Sequence, residues 1–419
     1  MSSLAVIVII VLVDLLGFTL VMPLLAPFAR EYHFSGLQIG LLFAAYPLCQ
    51  LVSGPILGRL SDRYGRRPVL IVSQAGTALS FLILGLSRHF WVMLLARMLD
   101  GASGGNILVA QAYVADVTKP EHRARGLGLI GMAFGLGFVL GPLLGGLLLG
   151  LPVPPEWRLR VPFLVAAGFS TLAWVLVLTR LPESPARAEA RVLSGRGLVD
   201  TMTLPGVGAL VVLASLFVLA FAALEGTFAL YLQDRLKASA QAAAFGFAFL
   251  GLVSAVVQGG LIRRLVPRFG EPKLIVVGVA TLTIGFGAMA LAEGWPALLG
   301  ATLIVGVGQG LASPTVSGLL SRITPASEQG AVFGVLSSAQ TLARMINYVL
   351  ANVLLATRSA SAPFWEACVI ALAALGLALV VLPRVKVTGG PQPEMVAQGL
   401  SRRPGGPGGD ETDVADLHP

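Results

Sequence analysis

Apolar residues fill this chain in long blocks, and the charged residues gather in the short stretches between them. A helix rises 1.5 Å per residue, so about twenty apolar residues cross the hydrocarbon of a bilayer. On that criterion the pattern predicts twelve helical spans, at 4–28, 37–58, 68–87, 91–117, 124–150, 161–181, 204–233, 240–262, 272–292, 295–321, 330–357 and 363–383. Several exceed the required length, as tilted helices that emerge from the bilayer would. The chain opens on Leu4–Val13, an apolar run that continues far past signal-peptide length with no cleavage site behind it. It is predicted to be the first span.

Composition narrows the class. Of 419 residues, 56% are hydrophobic and 12% charged, and the mean hydropathy is +0.84. A soluble domain carries about 25% charged residues, so the charges here are too few to cover a soluble surface. Fifty glycines suit close helix contact in lipid. The net charge of +8 would suit a nucleic acid. The cations sit in short turns between apolar runs, however, which is the pattern of membrane topology, and no nucleic-acid partner is expected. Cys49 and Cys368 both lie within apolar runs and imply no disulfide framework. His33, His89, His122 and His418 fall in loops or the tail. With no metal-spaced cluster, no phosphate-binding Gly-Lys-Ser/Thr loop and no nucleophile elbow, neither an enzyme nor a metal nor a cofactor is expected.

Counting cations in the connections sets the orientation. One side receives 20 lysines and arginines and the other 7, which predicts both termini in the cytoplasm of a multi-pass inner (plasma) membrane protein. Trp91, Trp157, Trp295 and Trp365 fall at the opposite, external span ends, where an amphipathic ring sits at the interface. Trp174 lies within a span.

The chain also repeats itself. A shift of 205 residues lays Arg59-Leu60 on Arg264-Leu265, Arg63 on Arg268, Gly65 on Gly270 and Pro120 on Pro325. Two parallel six-span repeats are expected: 1–181 as an N-terminal bundle, 182–203 as a cytoplasmic linker and 204–383 as a C-terminal bundle. The Gly/Pro-rich tail, 384–419, lacks the apolar content to fold and is expected to be disordered in the cytoplasm.

The stretch Gly54–Pro68, GPILGRLSDRYGRRP, packs one acid and four arginines between two apolar runs and reads as a water-facing loop. Its pattern, Gly58-x-x-x-Asp62-Arg63-x-Gly65-Arg66-Arg67, resembles the loop signature of the major facilitator superfamily. That resemblance implies an all-α membrane protein of twelve helices in two pseudo-symmetric six-helix bundles around a central cavity. It further implies a latch, with Asp62 facing the N-terminus of the eleventh span near Gly330 and Arg66 pairing with Asp116.

Five ionisable residues fall deep inside spans: Asp14, Arg97, Asp100, Glu225 and Arg344. A charge at the bilayer centre costs about 2.5–3.5 kcal/mol on insertion scales, so each points to a polar cavity or to a structural pair. Asp14 stands about 15 Å into the first span, near mid-membrane. A lone carboxylate in low dielectric is suited to taking up a proton near neutral pH. Its context, DLLGFTLVMPLLAPF, resembles the first span of tetracycline-efflux proteins, and LAFAALEGTFALYLQDRL around Glu225 resembles their seventh. Arg97-x-x-x-Gly101 is similar to the fourth-span motif of proton-coupled members, where the Arg is tied to proton transfer. Asp100 lies three residues on and can simply pair with it. Arg344 is the second half's cation or the structural partner of Glu225. Asn106, Gln111, Gln258, Gln309 and Asn347 are either packing contacts or added hydrogen-bonding groups.

The fifth span carries Gly137-x-x-x-Gly141-Pro142-x-x-Gly145-Gly146, which resembles the antiporter signature. Glycines permit close packing and the proline disturbs the helical ladder, which together make a bendable contact suited to a gate. The eleventh span has no copy: Asn347-Tyr348 stand where relatives often have Gly-Pro. The resemblance implies proton-coupled efflux (antiport) of a small amphipathic drug-like compound by a functional monomer. The proton gradient would be the energy source. Transport of an endogenous metabolite, or a non-transporting membrane sensor on the same fold, are the alternatives.

Overall fold

A computed structural model of the chain describes residues 3–119, 122–184, 202–204, 206–325 and 328–385. The described residues form helices joined by short turns, with no strand among them. In chain order these are α1 (Ser3–Val21), α2 (Leu25–Glu31), α3 (Gly36–Tyr64), α4 (Arg66–Leu86), α5 (Phe90–Ser103), α6 (Asn106–Val117), α7 (Arg123–Leu149), α8 (Pro155–Arg158) and α9 (Val161–Arg180). The second half follows with α10 (Val207–Leu236), α11 (Ala240–Val256), α12 (Ile262–Leu291), α13 (Trp295–Ile323), α14 (Gln329–Thr357) and α15 (Ala362–Val381). Most of the expected linker and all of the tail beyond Val385 lie outside the described residues.

Among the described residues, ten helical stretches are long and apolar enough to cross a membrane. One of them, Ala240–Leu291, has 52 residues, about 78 Å at 1.5 Å per residue. That is far more than one crossing of a ~30 Å core needs. Within it a π-helical turn covers Val257–Leu261 and non-helical backbone stands at Gly270. The polar stretch of α14, with Gln340, Arg344 and Asn347, keeps that 29-residue helix outside the ten. The expected count of twelve therefore rests on dividing the one and admitting the other.

Local chemistry explains the interruptions. Pro23 and Pro27 remove ladder donors, and a 3-10 turn at Met22–Leu24 joins α1 to α2. The expected loop at Gly54–Pro68 is mostly helix. Asp62 and Arg63 belong to the last turn of α3, and the connection shrinks to Gly65, whose φ of 102° only glycine adopts readily. Arg59 and Arg63 are exposed there, while Arg66 is buried against its acidic partners.

Buried side chains gather into one core cluster made wholly of residues between Val207 and Leu382. Two more clusters lie mainly in the first half. The halves meet along two seams, α3 on α14 and α7 on α11. In lipid, apolar area gives little drive for helix association, so close backbone approach has to supply it. A Cβ on Gly40 would stand 2.7 Å from the Val349 Cα, and one on Gly251 would stand 2.6 Å from the Phe138 carbonyl oxygen.

These seams are closed at the tryptophan-bearing end. There Gly36 faces Asn352 and Ala356. The Arg30 guanidinium donates both Nη1 and Nη2 to the Asp234 carboxylate, at 2.6 and 2.9 Å, and Gln241 Nε2 donates to the Gly146 carbonyl at 3.0 Å. At the arginine-rich end, added Cβ atoms on Gly58, Gly128, Gly131, Gly135, Gly330 and Gly334 would meet no described residue within 4 Å. Among the described residues the halves are therefore apart at that end.

Candidate functional site

The space between the halves is a cavity of about 290 Å³. Its walls come from both halves: Thr19, Met22 and Pro23 of the first span, Phe134, Phe138 and Pro142 of α7, Phe221 and Glu225 of α10, Phe247 and Ser254 of α11, and Gln258, Gln309 and Arg344. Glu225 and Arg344 are the charged residues among that lining. They do not form a tight pair: Arg344 Nε stands 3.8 Å from Glu225 Oε2. Tyr348 donates its hydroxyl to that same carboxylate oxygen at 2.8 Å. Arg344 Nε and Gln309 Oε1 are buried with no hydrogen-bond partner.

The five deep charges do not share one chamber. Asp14, Arg97 and Asp100 are not among the lining residues and lie inside the first half, 7%, 2% and 2% exposed. The reason is local. The fourth span breaks between Ser103 and Asn106, so Asn106 begins a new helix and its Nδ2 donates to Asp14 Oδ2 at 2.8 Å. Asp14 Oδ1 is buried without a partner, and Gln74 of α4 stands beside the same carboxylate. Arg97 donates Nη1 to Asp100 at 2.6 Å and Nε to the Leu42 carbonyl at 3.3 Å. It also lies over the Tyr46 ring, 4.9 Å from its centroid. Gly101 allows this: a Cβ there would collide with the Tyr46 carbonyl.

Tyr46 links the two groups. It is within electrostatic reach of Asp14, Arg97 and Asp100 on one side, and of Arg344 on the other. Sequence reading missed it because a tyrosine in an apolar span looks like core. It also missed Tyr348 and the Arg30–Asp234 bridge, whose partners lie 204 residues apart. Glu366 was missed as well. It sits one turn into α15 beside Trp365, with both carboxylate oxygens buried and Asn347 of α14 beside them.

At the arginine-rich end the expected Arg66–Asp116 pair is present, with Arg66 Nε 3.0 Å from Asp116 Oδ2. The other part of the expected latch is not. Asp62 meets Arg66 of the next helix at 2.6 Å, and no described residue stands against Gly330. Asp62 cannot reach the eleventh span while the halves are apart at this end. The carboxylate that occupies a helix N-terminus is instead Glu183, which accepts from the Arg66 and Arg67 backbone N–H groups at 2.8 and 3.3 Å. Arg67 turns away and donates Nη2 to the Leu178 carbonyl at 2.7 Å. Arg63 stacks on Tyr64, and Gly58 faces open space.

The glycines of α7 pack mainly on the first span. Gly137 faces Leu15, Gly141 faces Thr19 and Leu20, and Gly145 faces the Leu20 carbonyl, while Gly146 meets Phe245 across the seam. Thr19 ties this contact, donating its hydroxyl to the Leu15 and Gly137 carbonyls, at 2.7 and 2.8 Å. Pro142 faces the cavity.

Comparison with known proteins agrees with the all-helical membrane fold. The family model of the Major Facilitator Superfamily matches residues 7–290 and 261–406. The tetracycline resistance protein, class C, of Escherichia coli is 31% identical over 389 residues, covering 90% of this chain and 94% of that protein. Multidrug resistance protein 2 of Bacillus subtilis (strain 168) is 28% identical over 378 residues, covering 88% of this chain and 92% of that protein. Among solved structures, the human organic anion transporter MFSD10 (TETRAN) superposes with a TM-score of 0.66 at 25% identity, covering 90% of this chain and 98% of that one.

Proposed function

We propose that this chain, which belongs to the major facilitator superfamily and is a multi-pass membrane transporter rather than an enzyme, exports a small amphipathic compound in exchange for protons. Its halves rock about the cavity and expose it to each side in turn. The observation that carries the reading is the Asp14 carboxylate. It is buried at mid-span, with Oδ2 held by Asn106 and Oδ1 left without a partner. A carboxylate so placed is costly to keep ionised and suited to taking up a proton. The aromatic lining suits an apolar body. The names of the tetracycline and multidrug resistance relatives support a drug-like compound.

With the positive-rich connections on the cytoplasmic face, both termini are cytoplasmic, and the described conformation faces inward. The chain works as a monomer in the plasma membrane of its cell and draws on the proton gradient without a cofactor. The test is proton movement in proteoliposomes challenged with a chemically varied panel. Proton counterflow driven by at least one amphipathic compound is expected, and no movement with any of them contradicts the reading.

A further inference from the structure

The geometry points to an amphipathic organic anion as the substrate class, with its acidic group docked on the Arg344 guanidinium and its apolar body between the phenylalanines of the cavity. This rests on the reading of the cavity as the substrate path.

Two opposite charges line the cavity, and they are not equally available. The Glu225 side chain is 10% exposed, and one of its oxygens already accepts from Tyr348 at 2.8 Å. The Arg344 side chain is 42% exposed within the cavity. Its Nε has no hydrogen-bond partner, and the nearest counter-charge stands 3.8 Å away, past hydrogen-bond range. An incoming cation finds its carboxylate covered by a tyrosine and shadowed by an arginine. An incoming anion finds a part-exposed guanidinium that no carboxylate holds within hydrogen-bond range, and a guanidinium fork binds carboxylates bidentately.

The rest of the wall agrees with an anion bearing an aromatic or apolar body. Phe134, Phe138, Phe221 and Phe247 contribute from both halves. The other carboxylates of the central membrane region, Asp14 and Asp100, are held inside the first half by Asn106 and Arg97 and do not face this space. The field reaching a bound molecule is therefore set by Arg344, the more exposed of the two charges, and opposed by Glu225.

Three probes of like size separate the charge classes: 2-naphthylacetate, its neutral carboxamide, and 2-(2-naphthyl)ethylammonium. Binding to the detergent-solubilised full chain is measured for the wild type, Arg344→Gln, Arg344→Lys and Glu225→Gln. The wild type is expected to prefer the anion over the amide and the amide over the cation. Loss of a charge-assisted pair in Arg344→Gln should weaken the anion roughly tenfold and leave amide binding in place, which also reports the fold. Arg344→Lys should recover part of the loss, and Glu225→Gln should tighten the anion severalfold. Stronger binding of the cation in the wild type, or an unchanged anion preference in Arg344→Gln, overturns the proposal. Proton flux in proteoliposomes separates this from the exchange reading. Flux driven by the ammonium probe alone keeps exchange and overturns the anion class. Anion-selective binding without flux keeps the anion class and overturns exchange.

Discussion

Gly65 and Gly270 stand 205 positions apart and hold nearly the same backbone, φ 102° and ψ 156° at the first, φ 74° and ψ 157° at the second. Each lets one helix end and the next begin without a loop. The repeat is echoed around them. Arg66 pairs with Asp116 at 3.0 Å; Glu271, at the position matching Arg66, pairs with Arg322, one residue past the position matching Asp116, also at 3.0 Å and with the charges exchanged.

This backbone region is open to glycine and costs other residues on the order of 1–3 kcal/mol. Gly270→Ala should lose that amount, since a Cβ there meets only the Pro272 ring at 3.8 Å. Gly65→Ala should lose more, because its Cβ would stand 2.8 Å from a Glu183 oxygen and push that carboxylate off the start of α4. Thermal unfolding in detergent measures both. Equal losses would remove Glu183 from the account.

Arg66 holds three partners at once, Asp62, Asp116 and the Ser61 hydroxyl, while its own side chain is 8% exposed. Arg66→Ala should cost roughly 3 kcal/mol, the scale for breaking a buried pair. Arg66→Lys keeps the charge but loses the fork and should recover only part. Chemical denaturation of the two variants against wild type checks the order.

How much of this was legible depends on how local the cause is. Helix positions followed from apolar block length, but the stretch Gly54–Pro68 read as a loop, because its charges hid a helix that runs on to Tyr64. Arg66–Asp116 was reached through a motif. The separation of Asp14 from the cavity was not legible. It depends on Asn106 emerging at a break in the fourth span and reaching back 92 residues to take the carboxylate. Arg30–Asp234 joins two unremarkable interfacial charges, and no spacing announces it. The Asp62 expectation failed because Asp62 meets Arg66 of the next helix instead, at 2.6 Å.

The Arg30–Asp234 bridge joins the two halves at their closed end, with both side chains over one-third exposed. Exposed pairs contribute about 0.2–1 kcal/mol and weaken with salt. Asp234→Asn should therefore raise the population open at the tryptophan-bearing end by up to roughly fivefold, less at high salt. Spin-label distances across that end report the shift. No change at low ionic strength would make the bridge incidental.

Gly141 and Gly146 should respond differently to added bulk. A Cβ on Gly141 collides with the Thr19 hydroxyl and stands 2.9 Å from the Leu20 nitrogen, so Gly141→Val overpacks a contact inside one half. A loss of about 1–3 kcal/mol is expected. On Gly146 the obstacle is the Phe245 ring across the seam. Gly146→Ala should leave stability nearly unchanged and lower the population closed at that end. Unfolding and spin-label distances, measured together, distinguish the two.

The most direct measurement is substrate-driven proton movement by Asp14→Asn in sealed proteoliposomes, with tryptophan quenching to confirm that the same compound still binds. Retained binding with proton movement abolished is the expected result. Full proton coupling in that variant would contradict the claim that the half-satisfied carboxylate of the first span carries the proton.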